Sequence, residues 1–179
     1  EQAQSLLTEC GFSDWQSAHR RLLDLCKDDN RRDALAKCLP MLLVALSNAA
    51  TPDGSLVNFE RFVQSVESRE ELFGYLASHP RAVEILVKLF VGSQFLTEIL
   101  LRNPGCLDQL TNHKRLAEFK SKQQFAAEDL KVTQRIPTVA DKLDALRRFQ
   151  HWELLRIGAC DSFGLFDLKS ITVQLSLLT

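Results

Sequence analysis

LRRFQHWELLRIGACDSFGLFDLKSITVQLS, residues Leu146–Ser176, is helical in pattern yet carries a charge where a helix keeps its core. Read as a helix, its apolar stripe consists of Leu143, Leu146, Phe149, Leu154, Ile157 and Cys160. Advancing each residue by about 100° places Glu153 in the middle of that stripe, with Gln150 beside it and with Trp152 and Leu155 on the opposite face. A carboxylate inside a core stripe costs several kcal/mol unless it is paired. The helix is therefore expected to be wrapped on more than one side, or paired across its own turns. Arg156, three residues on, is the nearest cation for Glu153; Arg147 and Arg148 precede it, and Asp161 ends the helix. These five residues read either as a buried ion-pair cluster that locks helix packing or as a docking surface for an adjoining domain.

The rest of the chain agrees with an all-α fold, either one multi-helix bundle or two helical subdomains joined by a long helix. Leu is abundant, Gly (7) and Tyr (1) are scarce, and β-branched residues rarely run together. Ser13, with Gln16 three residues on, reads as a capping box for a helix over 14–27. Asp28-Asp29-Asn30 reads as a break. Pro40 is expected to kink or split the helical run 31–48, and Thr51-Pro52-Asp53-Gly54 reads as a turn. Over 55–66, Leu56, Phe59, Phe62, Val63 and Val66 share a face while Asn58, Arg61 and Gln64 lie off it. A short helix at 69–78 ends before Pro80. Residues 80–91 are apolar over more than half their circumference and predict the most buried helix. Ser93 reads as the cap of a helix over 94–102.

A weak repeat at a shift of 24 residues relates LASHPRAVEIL (76–86) to LLRNPGCLDQL (100–110). Each copy is a helix end, an X-Pro corner and a new start. Residues 1–112 are assigned to an N-terminal helical subdomain. Residues 111–136, with six basic residues against three acidic, read as a solvated helix bridging two subdomains, so 113–137 is assigned as a polar connecting segment. Residues 138–179 are then a long helix, ended by Phe163-Gly164, and a truncated helix beginning at Asp167 or Ser170.

Composition excludes several function classes. A net charge of −1 argues against a nucleic-acid surface. The longest apolar run, 39–46, is far shorter than the ~20 residues that span a bilayer. The five cysteines, Cys10, Cys26, Cys38, Cys106 and Cys160, are widely spaced and form no CxxC, so they read as free thiols of a cytoplasmic protein rather than a disulfide framework or zinc site. His19, His79, His113 and His151 form no i,i+4 pair with another His or a Cys. No phosphate-binding, zinc-protease or nucleophile-elbow motif occurs. Gly92-Ser93 resembles the opening of a nucleotidyltransferase motif, but no Asp-x-Asp follows it anywhere. No catalytic, cofactor-binding or metal-ligating residue is assigned. The start without Met and the stop at LSLLT suggest a fragment.

The opening stretch is similar to a segment of the bifunctional glutamine synthetase adenylyltransferase/adenylyl-removing enzymes, where LRRFRRREMLRIA stands before each nucleotidyltransferase domain. Leu146, Arg147, Arg148, Phe149, Glu153, Leu155, Arg156, Ile157, Asp161, Gly164, Leu175 and Ser176 fit that form. NFERF at 58–62 and LFVGSQFLTEILLRNPGCLDQL at 89–110 also resemble the family, so the likeness runs over about 43–177. His151-Trp152 departs from it, where the family tends to have Arg.

The resemblance implies a parent enzyme that transfers AMP from ATP to a Tyr of glutamine synthetase and removes it by phosphorolysis. It would use Mg²⁺-dependent domains under control of a PII-type regulator. It implies that this chain is a non-catalytic helical region whose neighbour is a nucleotidyltransferase domain. Leu143, Leu146, Phe149 and Ile157 would then face the helical region, while Trp152 and Leu155 would form an interface with that neighbour. The rival readings are a free-standing helical adaptor, with Trp152 and Leu155 as an exposed patch, and a nucleic-acid binder acting through 111–135.

Overall fold

Pro40 does not split its helix: α3 runs unbroken over Asp29–Ser47. Proline removes one backbone donor and frees the carbonyl four residues earlier. Here that residue, Ala36, is exposed, as is Pro40 itself, so water can satisfy the freed carbonyl. In the computed structural model, residues 1–26, 29–112 and 116–178 are described, the side chains of 29–31 excepted. Lys27, Asp28 and His113 lie outside them; Asp29 and Asn30 open α3 rather than break a helix. The described residues form eleven helices and no strand, an all-α multi-helix fold. They divide into two compact units, Glu1–Thr111 and Asn112–Thr179.

The first unit holds α1 (Gln2–Glu9), α2 (Trp15–Leu25), α3, α4 (Pro52–Ser65), α5 (Arg69–Ser78), α6 (Pro80–Gly92), α7 (Gln94–Arg102) and α8 (Cys106–Thr111). α6 is its hub and packs on α3, α4, α5, α7 and α8. Its buried residues are Ala82, Val83, Ile85, Leu86, Val87, Leu89 and Phe90. Each large apolar side chain among them is worth roughly 1.5–3 kcal/mol over exposure.

Caps explain the boundaries. Asp14, not Ser13, caps α2: its carboxylate accepts from Ser17 N at 2.9 Å. The Ser13 and Asp14 amides donate instead to Asp53, at 2.9 and 3.2 Å, which ties the start of α2 to the first turn of α4. The expected turn at 51–54 is that first turn, with Thr51 as N-cap and Pro52 at the opening helical position. Asn58, expected on the wet side of α4, is buried; its amide accepts from Arg61 at 3.3 Å. Ser93 caps α7, and Tyr75 Oη sits 2.9 Å from Thr111 Oγ1, joining α5 to α8.

The second unit holds α9 (Lys122–Thr133), α10 (Val139–Ser162) and α11 (Leu168–Leu178), each packed on the other two. The segment 113–137 is therefore not a connector. Its residues Leu116, Lys120 and Phe125 are buried, and α9 starts on a complete capping box between Ser121 and Gln124. Nor does the long helix join the units: α10 lies wholly inside the second. It opens on Thr138, whose hydroxyl accepts from Asp141 N. It closes on Gly164 at φ +62°, with Leu165 N donating to Cys160 O and Gly164 N to Asp161 O. That bond pair is a Schellman cap, which favours glycine because a left-handed φ crowds any Cβ.

Candidate functional site

The charge in the apolar stripe of α10 is the centre of the second unit. Glu153 is 0% exposed. One carboxylate oxygen accepts from Lys120 Nζ at 2.7 Å and the other from Arg156 Nε at 2.8 Å. Both cations are buried too, Lys120 at 4% and Arg156 at 1% exposure. Lys120 Nζ also reaches Glu128 at 2.6 Å, and lies 5.8 and 5.9 Å from the ring centroids of Phe125 and Phe149. Two cations face two carboxylates, so the cluster is neutral as a whole, the condition under which burial of charge is tolerated.

The remaining donors of Arg156 fix the backbone that carries Lys120. Its guanidinium donates to Leu116 O, to Glu118 O and, at 3.0 Å, to Gln174 Oε1. Gln174, on α11, clamps Lys120 from both sides: Lys120 N donates to Gln174 Oε1 at 3.0 Å and Gln174 Nε2 donates to Lys120 O at 2.7 Å. Cys160 Sγ adds a contact to Leu116 O at 2.9 Å. The segment before α9 is thereby pinned to α10 and α11.

Burial pushes the Cys160 thiol up to about 11, against the opposing pull of Arg156 and with a further push from Glu153. Burial, and then the charges of Glu128 and Glu153, hold Asp129 above its ordinary value. Such thiols are inert at neutral pH, since the thiolate is the reactive form.

Of the residues read from sequence, Glu153 and Arg156 meet in this cluster. Arg147 does not join it; it is exposed and pairs with Asp144 at 2.9 Å. Arg148 and Asp161 are exposed as well. Trp152 is half-buried, and Leu155, expected at an interface, is fully buried. The correction has a simple cause. Among 153–160, the buried residues Glu153, Leu155, Arg156, Ile157, Ala159 and Cys160 cover over half the helix circumference, at about 100° per residue. Leu143, expected to face the helical region, is instead exposed.

Lys120, Glu128 and Gln174 were not identified from sequence. They stand 33, 25 and 21 residues from Glu153, so no local spacing connects them. The available signal was the unmet demand of Glu153 itself, beside a basic segment at 111–136.

A concavity lies in the first unit, lined by Ser13, Asp14, Ser17, Arg21 and Asp53 among others. Its groups are satisfied internally: Asp14 by Ser17, Asp53 by two amides, Arg21 by Glu60. Among the described residues no three His, Cys, Asp or Glu converge as a metal site, and no helix is long and apolar enough to cross a membrane.

The sequence profile of the glutamate-ammonia ligase adenylyltransferase family matches residues 83–179, which include the entire second unit. The chain belongs to this family. Its relatives include the bifunctional glutamine synthetase adenylyltransferase/adenylyl-removing enzymes of Thioalkalivibrio sulfidiphilus and Pseudomonas aeruginosa. Each is 29% identical, over 98% and 99% of this chain and 19% of the relative. That of Idiomarina loihiensis is 30% identical over 82% of this chain and 16% of its own length. The adenylyltransferase relatives are thus about five times as long as the region matched. No solved structure matches the chain.

Proposed function

We propose that these residues are a non-catalytic helical region of a glutamine synthetase adenylyltransferase, which holds an adjoining nucleotidyltransferase domain in place. The observation that carries this reading is the family match across the whole second unit. The buried cluster supports it: four ionised side chains and a glutamine, all satisfied within the unit, suit a rigid support better than a reactive centre, where perturbed groups face a cleft. The sequence also lacks the Asp-x-Asp pair that would hold Mg²⁺ in a nucleotidyltransferase.

In this reading the whole protein transfers AMP from ATP to a tyrosine of glutamine synthetase, removes it by phosphorolysis, and answers to a PII-type regulator. ATP and Mg²⁺ belong to the neighbouring domain, and the protein works in the cytoplasm. The coding sequence beyond Thr179 tests the reading. A Gly-Ser turn followed by Asp-x-Asp is expected there; a stop codon or an unrelated domain would overturn it.

A further inference from the structure

α11 turns one polar residue, Gln174, inward and part of its apolar stripe outward. At about 100° per residue, Leu168, Ile171, Leu175 and Leu178 share one stripe, with Gln174 to one side of it. Apolar burial alone would point that stripe at the core. Instead Gln174 is fully buried, while Leu168 is 80% and Leu175 40% exposed. The cause is the clamp just described. Turning α11 to bury its leucines would strand the Lys120 amide and carbonyl and one arm of Arg156, and buried groups without partners are costly. The cluster therefore presents a preformed apolar face. Its exposed companions, Thr172, Val173 and Ser176, are uncharged, and Lys169 is the one charged residue of the helix.

We infer that this face of α11 seats another domain of the same polypeptide, one outside these 179 residues, through a largely apolar surface whose one charge is Lys169. The inference rests on the reading of the chain as part of a longer adenylyltransferase. Size and chemistry select this occupant. A helix of 11 residues is about 16 Å long and about 10 Å wide, so its exposed side offers on the order of 200 Å². Free partners, a second copy included, need roughly 800 Å² each. A tethered domain needs far less, because the linkage supplies a high effective concentration. In the relatives about four fifths of the polypeptide lies outside the matched region. The near absence of charge leaves nothing to recognise a nucleic-acid backbone or an anionic membrane.

The test compares maleimide labelling of Leu168→Cys and Leu175→Cys in the 179-residue chain and in the full gene product, read site by site by mass spectrometry. Lys131→Cys, at an exposed position of α9, is the control. Both α11 sites are expected to label freely in the short chain and at least about tenfold more slowly in the full product, while the control labels alike in both. Equal rates in the two proteins would overturn the inference and leave the family reading standing. So would slow labelling in the short chain, since these 179 residues or a second copy would then already cover the face. A gene encoding nothing outside these 179 residues would overturn both, before any labelling is done.

Discussion

Replacing Glu153 by alanine should destabilise the second unit more than any other single change to its polar groups. The carboxylate meets Lys120 at 2.7 Å and Arg156 at 2.8 Å, in full burial. Without it, the carboxylate left to Lys120 among the described residues is Glu128, whose side chain is 38% exposed and so attracts through partly solvated surroundings. Arg156 keeps Leu116 O, Glu118 O and Gln174, so its loss is partial. Breaking a buried pair costs about 3–5 kcal/mol, and these retained partners argue for the lower half, about 3–4 kcal/mol. In a unit of this size each kcal/mol moves Tm by about 4–8 °C, so a fall of at least about 12 °C is expected.

Trp15 and Trp152 lie in different units, so in a Trp15→Phe background tryptophan fluorescence reports the second unit alone. Thermal unfolding followed in this way should show the loss. Glu153→Gln, which keeps the volume and one acceptor, should lose about half as much, near the value of a hydrogen bond to a charged group. A Tm within about 4 °C of the parent for Glu153→Ala would refute the reasoning, because the two cations could not then depend on that carboxylate.

Gln174→Leu should cost about 2–4 kcal/mol in urea unfolding despite adding apolar volume, since it strands both polar groups of the Lys120 backbone and one donor of Arg156; a neutral or stabilising result would contradict the clamp. Gly164→Ala should cost about 1 kcal/mol through its left-handed φ alone, because an added Cβ meets nothing within 4 Å, and an unchanged Tm would count against the Schellman cap. Burial raises the Cys38 and Cys160 thiols from 9.0 to about 11 in the folded chain. Their contribution is therefore complete below the unfolded value and lost as pH rises through the folded one. Stability should fall more steeply between pH 9 and 11 in the parent than in Cys38→Ala/Cys160→Ala, and parallel profiles would show these thiols to be accessible.

The helices were legible where one signal dominated. Ser93 caps where the residue pattern places it, the long helix begins beside the expected residue 138, and the continuous apolar run of α6 marks a deeply buried helix. The reading erred where two local signals competed. Ser13 and Asp14 are both good caps, and only the distant Asp53, which takes the Ser13 amide, settles the choice. Pro40 breaks a helix on average, but its freed carbonyl here belongs to an exposed residue. The cluster was half legible: Glu153 announced a need for cations, and Arg156 lay within helical reach. Lys120 and Gln174 are brought in by tertiary structure, from opposite ends of the unit. The basic composition of 111–136 hid Lys120 among cations that belong on a solvated surface. The pattern does predict that α10 is wrapped on more than one side; Leu155 departs from expectation because these residues already bury that second side, which the sequence reading gives to an adjoining domain.

The central claim is that these residues support an adenylyltransferase without performing its chemistry. The most direct measurement is incorporation of labelled AMP from ATP into glutamine synthetase, with Mg²⁺, by the 179-residue chain and by the full gene product side by side. The account predicts incorporation by the full product and none by the short chain. Label transferred by the short chain alone, or by neither protein, would contradict it.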